Sequence, residues 1–203
     1  MRQSTIIFIF LFVFRIAFSQ SEKTVYSGGM LLFQPGITFA ENPQQQIKTL
    51  SFGIGGILRF YAKEHWCFGL FGGNQKAKYT TSFSDNSTIS LVYGGVFLGY
   101  TSRINRFRFC ASLSLNKGRI KNMHIEKQLG SQILEGDYYS HPTWVGSPIL
   151  SLDYALSEKI SLTSQLICLT AVYKQNDLYF CPVLQLGVLF LSLIHISEPT
   201  RPY

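Results

Sequence analysis

The sequence is poor in charge, in cysteine and in helical periodicity. Only 14% of its 203 residues are charged, whereas soluble domains carry about 25%. Four cysteines are too few to staple a small disulfide-rich scaffold. A hydrophobic content of 46%, with 15% aromatic residues, excludes an intrinsically disordered chain. The chain is therefore expected to form one folded domain with little charge on its surface.

Common catalytic and nucleic-acid-binding signals are also absent. The sequence contains no G-x-S-x-G, no phosphate-binding glycine loop and no G-x-G-x-x-G motif. Between Gln20 and Phe190 there are 15 Lys and Arg against 10 Asp and Glu residues, which gives a net charge of +5. Because this modest excess includes no dense basic run, no nucleic acid partner is expected.

Residues 1–19 have the features of a cleaved signal peptide. After a basic start, the 13 residues from Ile6 to Phe18 are almost entirely apolar, and small residues stand at Ala17 and Ser19, just before Gln20. The stretch includes Arg15 and is shorter than the roughly 20 residues of a spanning helix. We predict cleavage before Gln20 and export from the cytoplasm.

The C-terminal residues 191–203 resemble the translation of a transposase sequencing adapter. Residues 191–201 read LSLIHISEPTR, and we predict that the segment is not native. The apolar stretch from Leu178 to Ile196 is then no membrane helix, and His195 and Ser197 are no catalytic pair.

Between these ends, β-branched and aromatic residues recur at every second position, a pattern typical of strands. In the segment from Arg106 to Asn116, Leu113 lies on an apolar face and Ser112 on a polar one, because successive strand side chains point to opposite faces. The alternation predicts eight strands, at residues 25–34, 48–61, 66–80, 88–102, 106–119, 147–156, 160–173 and 178–190.

The predicted connections alternate between short and mostly longer. The short ones are 62–65, 103–105 and 157–159, and the others are 35–47, 81–87, 120–146 and 174–177. Most strands reach the roughly 9–11 residues of a tilted transmembrane strand. Outer-membrane barrels have short periplasmic turns and longer outer loops, so we predict that both chain ends are periplasmic.

The export signal, the eight alternating segments and glycine pairs such as Gly72-Gly73 and Gly94-Gly95 resemble the small outer-membrane β-barrel domain family, with its OmpA/OmpX-like or PorT-like members. The resemblance covers roughly residues 24–190. It implies an all-β, eight-stranded antiparallel up-and-down transmembrane β-barrel in the cell outer membrane. It implies little about activity, because function resides in sites carried by a fold.

Alternation alone also fits a secreted or periplasmic β-sandwich. However, the polar faces of the predicted strands carry Ser, Thr, Gln, Asn and Gly, and the charges gather at strand ends. Aromatic residues gather there too, as in the girdles of membrane barrels; they include Tyr61, Trp66, Phe68, Tyr100, Phe107 and Tyr154. These features favour a barrel with its apolar faces toward lipid.

The alternation directs five polar side chains into the barrel: Arg59, Arg108, Asp153, Gln165 and Gln185. Eight strands leave an interior just wide enough for side chains, and buried charges must pair or be hydrogen-bonded. We expect a contact between Arg108 and Asp153 on neighbouring strands. A polar plug is favoured over a narrow ion path.

The loop at residues 121–145, within the longest predicted connection, is the candidate recognition site for an extracellular or envelope partner. It carries the aromatic and polar residues Tyr138, Tyr139, His141 and Trp144, which suit recognition. A shielding loop, or strands continued beyond the bilayer, are the alternatives.

No cluster of residues predicts a metal, a cofactor or a catalytic site. The spacing of His124, Glu126 and His141 fits no compact metal motif, so we expect solvated loop residues. Cys168 and Cys181 fall on opposite faces of adjacent strands, which argues against a bridge between them. We expect all four cysteines to be free, buried thiols.

The predicted function is that of a monomeric, non-enzymatic outer-membrane barrel embedded in outer-membrane lipid. Its outer loops are expected to make structural, adhesive or receptor-like contacts. Two alternatives remain open: a barrel-type enzyme that modifies membrane lipid, and a periplasmic sandwich that serves as a binding module.

We predict that the segment from Leu191 to Tyr203 is absent from the genuine protein, because it matches an adapter translation. Long-read sequencing of the source locus checks this. A genomic reading frame that encodes these residues would show the prediction to be wrong.

Overall fold

The computed structural model describes residues 25–41, 45–62, 65–82, 84–129, 132–157, 159–173 and 177–194. Its strands are β1 Val25–Glu41, β2 Gln46–Ala62, β3 Trp66–Thr81, β4 Ser84–Ile104, β5 Phe107–Leu129, β6 Gln132–Ala155, β7 Ile160–Tyr173 and β8 Asp177–Ile194. The predicted signal peptide lies outside the described residues, and within them no helix is long and apolar enough to cross a membrane.

The eight strands form one closed antiparallel barrel in chain order. Each strand pairs with the next, and β1 pairs with β8 from Val25↔Ile194 to Ala40↔Tyr179. Closure gives every strand a neighbour on both sides, so backbone groups are satisfied without water. The predicted fold class is confirmed, and the sandwich alternative is wrong.

The outward face of the barrel carries an apolar belt. On β5, Leu113 is 67% exposed, whereas Ser114 beside it is 2% exposed. Other exposed members of the belt include Leu31, Leu50, Ile54, Val96, Leu150, Leu166 and Leu186. So large a continuous apolar surface is incompatible with water, and the belt therefore faces lipid.

The strands are longer and the connections shorter than predicted. The loop predicted at residues 121–145 is wrong, and the alternative of continued strands is confirmed: β5 continues to Leu129, β6 begins at Gln132, and the two pair with register shifts between Ile125 and Gln128. Residues 132–136 are exposed on both faces, so apolar and polar residues no longer alternate there. The backbone ladder continues because it does not depend on that alternation.

Strand β1 runs through Pro35, where the prediction ended it. Pro35 pairs with Phe52 of β2, but the register with β8 passes from Phe33↔Leu186 to Gly36↔Val183. Since proline has no N–H to donate, the strand accommodates it where the ladder with β8 is interrupted.

The end of the barrel with the connections after β2, β4 and β6 carries aromatic pairs. Trp66 and Tyr100 meet edge to face at 6.2 Å between ring centroids, and Phe107 and Tyr154 lie 5.1 Å apart. Tyr61, predicted in this girdle, is instead buried in the lumen. On β2, Tyr61 falls among the alternate residues whose side chains point into the barrel.

Strand β8 continues past the predicted boundary at Phe190. Leu191 pairs with Gly28, and its N–H donates to the carbonyl of Lys159 at 2.8 Å. Residues 195–203 lie outside the described residues. The adapter origin of residues 191–203 stays a prediction.

Replacing Leu113 tests the assignment of the belt. We expect Leu113→Lys to impair assembly, because a cation on the lipid face near the midplane costs about 2–4 kcal/mol. Leu113→Phe should be tolerated, since lipid sets no volume limit, and Ser112→Ala should be nearly silent. The measurement is heat-modifiable gel migration of the membrane-extracted variants. If Leu113→Lys assembles and Leu113→Phe does not, Leu113 faces a packed protein core.

Candidate functional site

The lumen is crossed by a buried ion pair between β2 and β6. Arg59 Nη1 donates to Asp153 Oδ2 at 2.9 Å, and the two residues are 1% and 2% exposed. In a ring of eight, β2 and β6 are four strands apart and face each other. The pair therefore spans the barrel and closes its interior near the turn after β2.

Neighbouring side chains complete the hydrogen bonding of this pair. Thr163 donates to Asp153 Oδ1 at 2.8 Å, and Arg59 also donates to the Tyr61 hydroxyl at 3.2 Å. Ser151 lies 3.5 Å from the guanidinium. A buried ion pair needs such additional partners, because its desolvation cost can exceed the Coulombic gain.

The predicted contact between Arg108 and Asp153 is wrong. The two residues are opposite each other in the β5–β6 register, but Asp153 forms its ion pair with Arg59. Arg108 is half-buried, and its guanidinium carbon lies 4.3 Å from the centre of the Tyr61 ring. A cation over an aromatic face is favourable, so Arg108 joins this layer through Tyr61.

A second polar layer lies in the middle of the lumen. Tyr93 donates to Gln34 Oε1 at 3.1 Å, and Gln75 donates to Ser51 at 2.8 Å and to the Gln34 carbonyl at 3.1 Å. Gly55 makes room for this layer, because a Cβ there would collide with the Gln34 amide. Residue alternation places Gln34 and Gln75 inward, but they were not among the predicted site residues.

Gln165 and Gln185 are buried in the lumen as predicted. They are direct register partners on β7 and β8. Gln165 Nε2 lies 3.9 Å from the sulfur of Met30. Of the predicted interior residues, Arg59 and Asp153 form an ion pair with each other. Gln165 and Gln185 lie in a different part of the lumen.

The other end of the lumen holds a third polar group. Tyr79 donates to Asn122 at 2.7 Å, and its hydroxyl lies 3.3 Å from His124 Nδ1. His124 is buried here, so its prediction as a solvated loop residue is wrong. In the described parts of the chain, no three His, Cys, Asp or Glu side chains come together as metal ligands.

At this end β5 and β6 pair with each other for longer than with their other neighbours, and we name their residues 124–129 and 132–143 the ribbon. The β4–β5 register ends at Thr88↔Met123, and the β6–β7 register begins at Trp144↔Val172. Lys127 donates to Glu135 across the ribbon at 2.6 Å, and this hydrogen bond raises the pKa of the lysine. The ribbon is ordered by its own ladder and, at its base, by hydrogen bonds to β3 and β4: Thr81 donates to the Ile125 carbonyl at 2.9 Å, and the Ile125 N–H donates to Ser87 at 3.0 Å.

The four predicted recognition residues lie on both faces of β6. Tyr138 and Trp144 point outward and are exposed, and Lys117 Nζ lies 5.7 Å from the centre of the Trp144 ring. Tyr139 and His141 lie on the other face, half-buried and stacked at 6.5 Å. Because strand side chains alternate, these four residues form no single patch.

A closed eight-stranded ring with a lipid-facing belt and a filled lumen is the architecture of the small outer-membrane β-barrels. The combination of this fold and the belt is that of an integral outer-membrane protein. The localisation expected from the sequence agrees with it, as does the expected contact with outer-membrane lipid.

Solved structures of outer-membrane proteins share the fold. Neisserial surface protein A (NspA) matches with a TM-score of 0.54 and 12% identity, over 83% of this chain and 99% of that chain. A major outer membrane protein from Thermus thermophilus matches with a TM-score of 0.51 and 12% identity, over 82% and 99%. OprG from Pseudomonas aeruginosa matches with 0.50 and 13%, over 84% and 96%. No protein-family model and no curated protein matches the sequence.

Breaking the ion pair across the lumen should destabilise the barrel strongly. Asp153→Ala leaves the Arg59 guanidinium buried without its carboxylate, which costs about 3–5 kcal/mol. The measurement is urea unfolding of the barrel in lipid vesicles. Glu135→Ala is the matched control, because it breaks the exposed pair with Lys127, and exposed pairs contribute little to the free energy of unfolding. Equal effects of the two substitutions would contradict a structural role for the lumen pair.

Proposed function

We propose that the protein is a non-enzymatic outer-membrane barrel whose ribbon binds a protein partner outside the cell. The observation that carries this proposal is the exposure of large apolar side chains on the ribbon. Leu134 is 63% and Tyr138 62% exposed, and Ile133 is exposed beside them. Ile133 and Leu134 are consecutive in a strand and so lie on opposite faces. Both faces of the ribbon thus offer apolar contact surface.

The position of the ribbon supports a partner other than the bilayer. On the outward face of β5, the apolar belt gives way to the exposed side chains of Lys117, Arg119 and Lys121. Charges on this face are unfavourable within the lipid core, so the boundary of the bilayer lies near Lys117. Lys127 follows it by ten residues, or roughly 30 Å of strand at about 3.3 Å per residue. Exposed apolar patches there mark protein contact sites.

The side chains that fill the lumen support a proposal that does not include transport. Three polar layers fill it, and the ion pair of Arg59 and Asp153 crosses its diameter. Eight-stranded barrels leave no aqueous channel when side chains fill their interior. The surface of the ribbon is then the part of the molecule that remains for specific function.

The surroundings of the histidines support a role without catalysis. A lipid-modifying enzyme needs a nucleophile, a base and an orienting group in contact. His65 stacks on Tyr100 at 5.5 Å between ring centroids, and His124 contacts the Tyr79 hydroxyl. His141 stacks on Tyr139. These contacts suit packing more than proton transfer to a substrate.

Shortening the ribbon tests the proposal. Residues 126–135 are replaced by Asn-Gly, which joins the register partners Ile125 and Gly136 through a tight turn and keeps the buried residues His124 and Ile125. We expect unchanged heat-modifiable migration, because the barrel ladders remain, and at least a tenfold loss of bacterial attachment to immobilised serum and matrix proteins. The double variant Ile133→Ser and Leu134→Ser is the matched control for apolar contact and should lose most of the attachment with the ribbon intact.

Three results would contradict the proposal. Wild-type attachment no higher than that of cells without the protein, or equal attachment by the shortened variant, would remove the binding role. A change in the mass spectrum of outer-membrane lipids that depends on the wild-type protein would favour the enzyme alternative.

The orientation of the barrel is tested with inserted epitopes. An epitope between residues 130 and 131 should be stained on intact cells, and one between residues 105 and 106 only after permeabilisation.

A further inference from the structure

We propose that Cys67 and Cys110 form an intramolecular disulfide in the exported protein. Both side chains are buried in the lumen, and their sulfur atoms lie 2.7 Å apart. Non-bonded heavy atoms are in optimal contact at about 3.5–4.0 Å. The two thiols are thus held in closer contact than an ordinary packed pair, and they face each other directly.

The barrel wall is shaped to permit this contact. Cys67 lies on β3 and Cys110 on β5, so β4 runs between them. Gly99 of β4 is the register partner of Cys67, and Thr101 is the partner of Cys110. A Cβ at Gly99 would collide with Ser112 of β5, so glycine lets β4 and β5 pack closely at this level. Within the described strands, the backbones of β3 and β5 come within 8 Å of each other although β4 separates them.

The other two cysteines have different surroundings. Cys181 lies in the lumen but accepts a hydrogen bond from Thr38 at 3.5 Å and lies 3.5 Å from the Ser51 hydroxyl. Cys168 is on the opposite face of the neighbouring strand and is half-buried, so the prediction of a buried thiol is wrong for this residue. The fold therefore selects one pairing, between Cys67 and Cys110.

The chemistry requires a disulfide donor of the cell envelope, which is the oxidising compartment an exported chain enters. The thiolate of Cys110 attacks a sulfur of the donor disulfide and releases one donor thiol. The thiolate of Cys67 then attacks the Cys110 sulfur of this mixed disulfide and releases the second donor thiol. The donor gains two electrons and the two thiol protons, and the new S–S bond replaces the one that breaks. Because both cysteines are buried in the closed barrel, the exchange precedes closure.

The experiment uses the full protein extracted from outer membranes in the presence of a thiol-alkylating maleimide. The proposed disulfide requires export of the protein but not the binding role of the ribbon. Recovery of the protein in the outer-membrane fraction shows that it has been exported. After denaturation without reductant, we expect two alkylated cysteines, Cys168 and Cys181, and four after reduction. Trypsin should release the peptides of residues 64–76 and 109–117 joined by a disulfide.

Single serine variants identify the pairing. Cys67→Ser should raise the number of alkylated cysteines before reduction from two to three, because Cys110 loses its partner. Cys181→Ser is the matched lumen control and should keep the linked peptides while the number falls to one. Four alkylated cysteines in the unreduced wild-type protein would overturn the proposal, and so would linked peptides from another pair. Both of these contradicting results are measured on the wild-type protein, so the test still holds if the Cys67→Ser variant fails to assemble.

Discussion

The constraint on which this structure depends is that lipid offers no hydrogen-bond partner to a backbone N–H or C=O group. A sheet in the bilayer must therefore close, and here it closes after eight strands. Eight strands fix an interior just wide enough for side chains. The long side chain of Arg59 can then reach Asp153 on the opposite wall. Closure thus determines both the outer belt and the filled lumen.

The same narrow interior explains the distribution of small residues. Gly55 lies where the Gln34 amide packs, and Gly99 lies between the two cysteine-bearing strands. A larger residue at either position would displace lumen side chains. Glycine usually weakens a strand, but it is retained where another group approaches closely. Gly55 and Gly99 are therefore part of the packing of the barrel.

Much of the fold could be predicted from the sequence because a period of two assigns each residue to a face. This period placed Leu113 outward and Asp153 inward, and both positions are confirmed. It could not identify Arg59 as the partner of Asp153, since contacts across a lumen depend on the relative height of opposite strands. It left open whether β5 and β6 end in a loop or continue as strands, because beyond the bilayer neither face needs apolar residues. The contact of Cys67 with Cys110 skips a strand, so pairing of neighbours could not reveal it.

The construction of the ribbon from paired strands has a consequence for recognition. A flexible loop loses conformational entropy when a partner orders it, at about 1–2 kcal/mol for each backbone residue that is fixed. In the ribbon, register pairs such as His124↔Asp137 and Gln128↔Ile133 already fix the backbone. Its apolar side chains are therefore presented on a stiff stalk at a set height above the bilayer. Such a stalk lets a rigid partner dock without remodelling either surface, and it keeps that partner at a fixed distance from the lipid headgroups.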